Sequence, residues 1–276
     1  MRVLRISSVL RRSFMYISVG AVASVFGGMV IYVLAMGIPH INAELFEPVY
    51  NSENCSLIPA LLNTLVITVL ALAIAVPTGI FAAVYLVEYA PRGNRFVALV
   101  RLTAETLAGI PSIVYGLFGS LMFVKFFGLG YSLLGGSLTL SIMILPVIMR
   151  TTEEALMSVP DMYREGSFGL GAGKLRTVFR VVLPAAVPGI MAGIVLSTGR
   201  IVGETAALIF TAGTAAEPPT GLLNPGRTLS VHLYALWSEG HGTGKAYATA
   251  VVLLLIVILL NAASAAIQKR MIRRQG

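Results

Sequence analysis

Residues 160–184 read PDMYREGSFGLGAGKLRTVFRVVLP and form the only long polar, basic and glycine-bearing segment set between hydrophobic stretches. We interpret this segment as a helix-turn-helix that lies outside a bilayer. Pro160 suits the start of a helix, Asp161 in the first turn suits the positive end of the helix dipole, and Ser158 can cap it. Gly171 then supplies a turn in which a residue with a Cβ would be strained.

The second half of the segment combines basic and apolar residues in a helical pattern. In chain order these residues are Lys174, Leu175, Arg176, Val178, Phe179, Arg180 and Val182. Such a helix is amphipathic and is expected to lie along a membrane surface. We expect it to end at Leu183 and Pro184, where the next apolar span begins.

The composition identifies a membrane protein. The chain has 276 residues, of which 57% are hydrophobic and 12% are charged, whereas soluble domains are about 45–50% apolar and about 25% charged. The net charge of +8 comes from basic residues that flank hydrophobic spans, so membrane topology explains it better than nucleic-acid binding. The single cysteine, Cys55, excludes an internal disulfide, and no Cys/His pattern has metal-ligand spacing. We therefore expect no metal and no cofactor.

Six apolar stretches approach or exceed the length of about 20 residues that a membrane helix needs. We expect an all-α membrane protein of one domain, with spans at residues 14–38, 61–87, 109–127, 132–149, 185–211 and 246–267 and a polar region at 150–184. Before the third span, residues 96–108 carry Arg101 and Glu105 one turn apart, which indicates an amphipathic helix with that pair on it, followed by a bend at Pro111. Residues 212–245 are expected to form a polar loop.

Lysine and arginine are distributed unevenly between the two sides of the membrane. If both termini lie on one side, that side holds sixteen of the 20 basic residues, in the two terminal tails and in residues 92–101 and 150–180. The positive-inside rule places this side in the cytoplasm. We therefore expect both termini and the polar region 150–184 to be cytoplasmic.

The fifth span carries two charged residues, Arg200 and Glu204. An arginine that faces lipid at mid-span costs about 2.5–3.5 kcal/mol or more, so Arg200 should face a polar cavity or a partner. One arc of the helical wheel holds Ala185, Gly189, Gly193, Ser197, Arg200, Gly203 and Glu204. Because small residues at spacing four allow close helix packing, we expect this face to line a pore between two subunits, with Arg200 attracting an anion.

The roles of the neighbouring polar residues have alternatives. Glu204 is expected to hold the Arg200 guanidinium and temper its charge, and the pair lies either within the helix or across two subunits; a purely structural ion pair is the alternative. Ser197 and Thr205 can donate hydrogen bonds to an anion, although such hydroxyls often bond to their own backbone. Arg227 in the outer loop either steers anions or contacts a delivery protein, or it is a solvated loop residue.

The polar region 150–184 resembles a family motif. The permease subunits of ABC-type importers carry a cytoplasmic signature of Glu-Ala-Ala, three residues, Gly, nine residues, an aliphatic residue, one residue and Leu-Pro. The matching positions here are Glu165, Gly166, Ser167, Gly171, Val181, Leu183 and Pro184, with Gly166 and Ser167 in place of the two alanines. The resemblance implies the type I, MetI-like permease fold with a cytoplasmic coupling helix that docks on a separate ATPase. Its coupling residues here would be Asp161, Glu165, Gly166, Ser167 and Gly171.

Two further stretches, GRIVGETAALIFTAG at 199–213 and ETLAGIPSIVYG at 105–116, resemble the phosphate-transporting, PstA-type branch of that family. The resemblance implies a multi-pass permease subunit of an ATP-driven phosphate importer in a bacterial or archaeal plasma membrane, surrounded by membrane lipid, with Arg200, Glu204, Ser197 and Thr205 on the path of phosphate. It also implies three kinds of partner. These are a related PstC-type permease, two copies of a PstB-type ATP-binding subunit and an extracytoplasmic PstS-type phosphate-binding protein.

The sequence contains no Gly-x-x-x-x-Gly-Lys-Ser/Thr motif, so ATP is expected to bind a partner and this chain to catalyse no reaction. The sister PstC-type role and a permease for another oxyanion, such as arsenate or sulfate, remain open. A secondary phosphate transporter is the alternative from a different class, although such proteins often show internal repeats, and none is obvious here. A membrane enzyme has less support, because no clustered His/Asp/Ser set is present.

Overall fold

The computed structural model describes the backbone of residues 2–91, 93–240 and 242–275, and the side chains of residues 12–91, 93–240, 242–263 and 265–266. Within these ranges the chain is helical and contains no strand. Five helices are long and apolar enough to cross a membrane, and a bent helix pair adds a sixth crossing when it counts as one span. Several basic side chains used in the topology prediction lie outside the described set, namely Arg2, Arg5, Arg11, Arg92, Lys269, Arg270, Arg273 and Arg274.

The described ranges contain eleven α-helices. In chain order they are α1 (Arg2–Gly37), α2 (Ile58–Val84), α3 (Arg95–Ala108), α4 (Ser112–Gly119), α5 (Leu133–Met157), α6 (Asp161–Gly169), α7 (Lys174–Thr177), α8 (Leu183–Val202), α9 (Ala206–Ile209), α10 (Leu229–Ser238) and α11 (Thr243–Gln275). Three π-helical segments extend or join these helices, and they are Tyr85–Tyr89 after α2, Ser120–Phe126 after α4 and Val178–Val182 between α7 and α8.

The third crossing is a bent pair of helices. The axis of α3 and that of α4 with its π-helical extension differ by 102°. The bend comes at Pro111, which has no backbone N–H and disfavours the helical conformation in the residue before it. The predicted amphipathic helix and the bend that follows it are therefore confirmed.

Helix α5 is the centre of the bundle. Of its most apolar stretch 67% is buried within the chain, whereas the other four single-helix spans are 6–28% buried. It packs against α2 and α8, and its residues Met143 and Ile144 form a core with Ile67 and Ala71 of α2. The prediction that this span ends at residue 149 is wrong, because the helix continues to Met157. Hydropathy marked the end of the apolar stretch, but charged residues with partners continue the helix beyond it.

The fifth crossing begins and ends earlier than its sequence predicts. Residues Lys174–Val202 form one continuous candidate span, so the expected separation of a surface helix from a membrane helix at Pro184 is wrong. Pro184 lies in the first turn of α8, and the π-helical segment before it accommodates the missing backbone donor. The predicted end at residue 211 is also wrong, because Gly203 ends α8 and a non-helical step precedes α9.

The loop predicted at 212–245 returns into the protein instead of lying in solvent. It contains α10, and Leu229 at the start of that helix is fully buried in a core with Leu45 and Leu57. The second turn of α2 holds this loop, because the side chain of Asn63 donates to the Arg227 carbonyl at 3.2 Å and Thr64 Oγ1 accepts from the Leu229 amide at 2.8 Å. Loop and membrane helix therefore form one packed unit.

Candidate functional site

Arg200 lies in the last turn of α8, two residues before the helix ends at Val202. Its side chain is partly buried, and it makes no ion pair or hydrogen bond with any side chain in the described part of the protein. Its positive charge acts on the nearby phenol of Tyr115 in α4. Among the described residues, the positive charge of Arg200 therefore has no paired carboxylate.

Glu204 does not hold the Arg200 guanidinium. Its residue is 8% exposed, and its Oε1 accepts a hydrogen bond from the backbone N–H of Ala207 at 3.1 Å. The carboxylate therefore caps the short helix α9. The expected Arg200–Glu204 contact is absent among the described side chains because α8 ends between the two residues, so they are not on one helical face. The Glu204 carbonyl in turn accepts from Ser230 Oγ at 2.5 Å.

Two small residues of α8, Gly189 and Gly193, pack against α5 within the chain. A Cβ at Gly193 would overlap Thr151 of α5, and one at Gly189 would lie 2.6 Å from the Cβ of Ala155. Ser197 continues this stripe, is fully buried, and its Oγ has no hydrogen-bond partner in the described ranges. The expectation that this whole face lines a pore is therefore wrong for the stripe that contacts α5. Ser197 is not accessible to an ion in this conformation.

Thr205 lies in the non-helical step between α8 and α9 and is partly exposed. Its Oγ1 lies 3.5 Å from the Gly203 carbonyl, beyond the 2.5–3.0 Å that is usual for an O–H···O bond, so this contact is weak. The residue borders an apolar groove of about 500 Å³ that Tyr234, Trp237 and Tyr247 also line. The hydroxyl of Thr205 is thus partly accessible, whereas that of Ser197 is enclosed.

The polar region 150–184 contains the expected helix-turn-helix. Helix α6 begins with Asp161 in its first turn, as predicted, and ends before Gly171, whose φ of +82° belongs to the left-handed region that favours glycine. The prediction that Ser158 caps α6 is wrong, because its hydroxyl donates to the Ala155 carbonyl at 2.7 Å and closes α5. Across the turn, the hydroxyls of Ser167 and Thr177 are 2.9 Å apart.

Helix α6 exposes apolar side chains on the surface. None of its residues is buried, and the exposed fraction is 72% for Met162 and 92% for Leu170, which follows the helix. Glu165 and Gly166 are exposed as well. Apolar side chains at this exposure are typical of a protein contact surface.

The charged residues of α3 pair with α5 and not with each other. Arg101 lies 3.2 Å from Glu153, and Glu105 lies 3.6 Å from Arg150. The expected Arg101–Glu105 pair on α3 is therefore wrong. The two ion pairs attach the amphipathic helix before the bend to the C-terminal part of the central helix, α5.

The environment of Arg227 differs from the solvated loop that the sequence suggested. Arg227 is 4% exposed, its guanidinium carbon lies 4.4 Å from the ring centroid of Tyr50, and its Nε and Nη2 atoms have no hydrogen-bond partner in the described ranges. Burial, together with the charge of Arg227, lowers the pKa of His232 to about 3. The expectation of a solvated loop residue is wrong. No local sequence pattern marks the contacts among Tyr50, Arg227 and His232, because Tyr50 lies far from the other two residues in the chain.

Comparison with known families places the chain among transport proteins. Residues 75–273 match the family model described as "Binding-protein-dependent transport system inner membrane component". The "Probable ABC transporter permease protein YqgI" of Bacillus subtilis is 34% identical over 234 residues, which cover 79% of each chain. The "Phosphate transport system permease protein PstA 1" of Mycobacterium tuberculosis is 44% identical over 154 residues. That alignment covers 56% of this chain and 50% of the relative, so the match spans about half the length of the relative.

Solved structures share the fold. A chain of the MetNI methionine ABC transporter in an inward-facing conformation superposes with a TM-score of 0.59 at 21% identity, covering 76% of this chain and 91% of that one. A chain of a bacterial alginate ABC transporter in complex with an alginate pentasaccharide-bound periplasmic protein superposes with a TM-score of 0.66 at 19% identity, covering 96% of both. The expected type I importer permease fold is confirmed.

Proposed function

We propose, from the premise that this chain belongs to the family of binding-protein-dependent transport system inner membrane components, that it is the permease subunit of an ATP-driven importer of inorganic phosphate. In this proposal one chain forms half of the translocation path. The substrate assignment is supported by the PstA relatives, which are named as phosphate transport permeases. A permease for another oxyanion and the sister PstC-type role are the alternatives within the same family.

The observation that carries the substrate proposal is the unpaired charge of Arg200. An arginine within a membrane helix is costly unless it faces a polar cavity or meets an opposite charge, and no described acidic side chain pairs with it. Phosphate supplies that charge, since the guanidinium donates two parallel hydrogen bonds to its oxygens. In this proposal Thr205, five residues further along the chain, donates one more. A site of one arginine and one hydroxyl binds weakly enough to release its ion.

The coupling proposal rests on α6. Its exposed Met162 and Leu170, with Glu165 between them in the chain, form a surface that a separate ATP-binding subunit would cover. In this proposal two such PstB-type subunits hydrolyse ATP, and the permease catalyses no reaction itself. The turn at Gly171 and the Ser167–Thr177 contact keep α6 at a fixed angle to α7, so a push on α6 moves the fifth crossing.

The remaining partners follow from exposed surface and from topology. Helix α1 is long and apolar, and only 6% of its most apolar stretch is buried within the chain. We propose that lipid and a second, PstC-type permease contact the exposed surface of α1. An extracytoplasmic PstS-type protein would deliver phosphate on the side of α10. Both termini and α6 are assigned to the cytoplasmic face of a bacterial or archaeal plasma membrane, since an ATPase must meet ATP there.

The experiment is phosphate uptake by the complete importer in liposomes. Replacing Arg200 with Ala removes charged hydrogen bonds worth about 1.5–3 kcal/mol, so we expect uptake to fall about ten- to hundredfold while the ATPase still co-purifies. Lys125→Ala is the matched control, because Lys125 is an exposed basic residue at the end of another crossing. Unchanged uptake in Arg200→Ala would contradict the substrate site. Uptake driven by an ion gradient, without any ATPase, would instead support a secondary transporter.

A further inference from the structure

Arg164 of α6 points into the protein, whereas the residues directly before and after it are exposed. Its Nε and Nη2 atoms donate to Glu88 Oε1 at 3.1 and 2.8 Å. Its Nη1 donates to the Val159 carbonyl at 2.8 Å and to Asp161 Oδ1 at 3.2 Å, and its Nη2 also donates to the Leu156 carbonyl at 2.9 Å. The side chains of Arg164 and Glu88 are only 15% and 9% exposed.

One guanidinium therefore joins three parts of the fold. Arg164 belongs to α6, Leu156 lies at the C-terminal end of α5, and Glu88 lies in the π-helical extension of α2. The last carbonyls of a helix have no intrahelical donor, and Arg164 satisfies two of them at and just beyond the end of α5. Because α6 buries no residue of its own, hydrophobic packing holds it weakly, and this side chain is its main attachment to α2.

The other end of α2 contacts the start of α10, which in turn bonds to the segment that follows Arg200. Thr64 Oγ1 accepts from the Leu229 amide at 2.8 Å, and Ser230 Oγ donates to the Glu204 carbonyl at 2.5 Å. Between its two ends α2 packs along α5. A displacement at Glu88 is thus connected, through one rigid helix and named hydrogen bonds, to the step between α8 and α9.

We infer that the buried Arg164–Glu88 ion pair is the joint through which movement of α6 is transmitted to α2 and from there to the Arg200 segment. The inference rests on the proposed coupling function, and it assigns Arg164 and Glu88 as positioning residues that contact neither ATP nor substrate. Arginine is required because its planar fork reaches acceptors in several directions, whereas lysine offers one nitrogen. Removing either partner leaves the other charge buried and unpaired, so the joint is expected to loosen.

The test measures the number of ATP molecules hydrolysed per phosphate taken up, using the complete importer in liposomes. Glu88→Gln keeps the shape of the side chain and removes its charge, and Arg164→Lys keeps the charge and removes the fork. In both variants we expect the ATPase to co-purify normally and ATP hydrolysis to stay within twofold of the parent. Phosphate uptake is expected to fall at least tenfold, so the ATP-to-phosphate ratio rises by at least fivefold.

Arg150→Gln is the matched control, because Arg150 also pairs with two carboxylates at the cytoplasmic end of α5 but is 57% exposed. Its ratio should equal that of the parent. If hydrolysis and uptake fall in the same proportion in Glu88→Gln and Arg164→Lys, or if both variants fail to assemble, the pair serves stability or docking and the inference is wrong. The proposed function fails separately, if the parent protein takes up phosphate without ATP or binds no ATPase.

Discussion

The structure changes the role assigned to Glu204, from a counter-charge for Arg200 to a cap of helix α9. The two roles predict different results for the same variants. Replacing Glu204 with Ala removes the acceptor of the Ala207 N–H, and Ala207 is fully buried. A buried donor without a partner costs about 1–3 kcal/mol, and loss of an N-cap costs about 0.5–2 kcal/mol. We therefore expect Glu204→Ala to be less stable by about 1–2 kcal/mol, which at about 2–4 °C per kcal/mol lowers the Tm by about 2–8 °C.

Glu204→Gln separates the two roles. The amide oxygen still accepts from Ala207, so the Tm should stay within about 2 °C of the parent. Since the carboxylate does not contact Arg200, phosphate uptake by the Gln variant should stay within about twofold of the parent. The assay is thermal unfolding in detergent followed by Trp237 fluorescence, with uptake measured in parallel and Glu239→Ala as an exposed control. A Gln variant that loses uptake as Arg200→Ala does would refute the cap and restore the counter-charge.

Two more predictions concern packing and pH. Gly193→Ala should lower the Tm, because the added Cβ would overlap Thr151 and overpacking costs about 1–3 kcal/mol. Gly199→Ala is the control, because a Cβ there meets nothing within 4 Å and the change should be neutral or stabilising. Equal Tm shifts in the two variants would contradict the α5–α8 packing. His232 lies outside the candidate spans, and burial together with the charge of Arg227 lowers its pKa to about 3. Below about pH 6.5 the unfolded chain therefore binds a proton at this histidine that the folded chain does not bind. The free energy of unfolding should therefore fall as the pH drops, by about 2 kcal/mol at pH 5. The Tm is measured at pH 7.5 and at pH 5.0, and the decrease between the two should be smaller in His232→Gln than in the parent protein.

Several structural features followed from short stretches of sequence, because their causes are local. Gly171 adopts a positive φ that other residues avoid, Pro111 stops a helix wherever the rest of the chain lies, and about 20 consecutive apolar residues require a membrane span. The coupling signature is local as well, since its spacing is set by one turn between two helices. These features were sufficient to predict the all-α membrane fold and the family.

Helix ends and charge pairs were predicted less well. Hydropathy placed the end of the fourth span at residue 149, although ion pairs continue α5 to Met157. It also extended the fifth span past Gly203, where the chain breaks so that Glu204 can cap a second helix. The length of an apolar stretch indicates which residues can contact lipid. It does not indicate at which residue the backbone stops being helical.

The sequence by itself determined that this protein crosses a membrane several times and that an exposed helix-turn-helix lies between two of its apolar segments. The positive-inside rule predicts, in addition, that its basic side is cytoplasmic. Only the tertiary structure decided which charges meet. Arg164 and Glu88 are 76 residues apart in the chain, and Arg227 is enclosed by Tyr50 and the α10 segment. Partners this distant are selected by how the helices pack around α5, and packing depends on the shapes of all the side chains together.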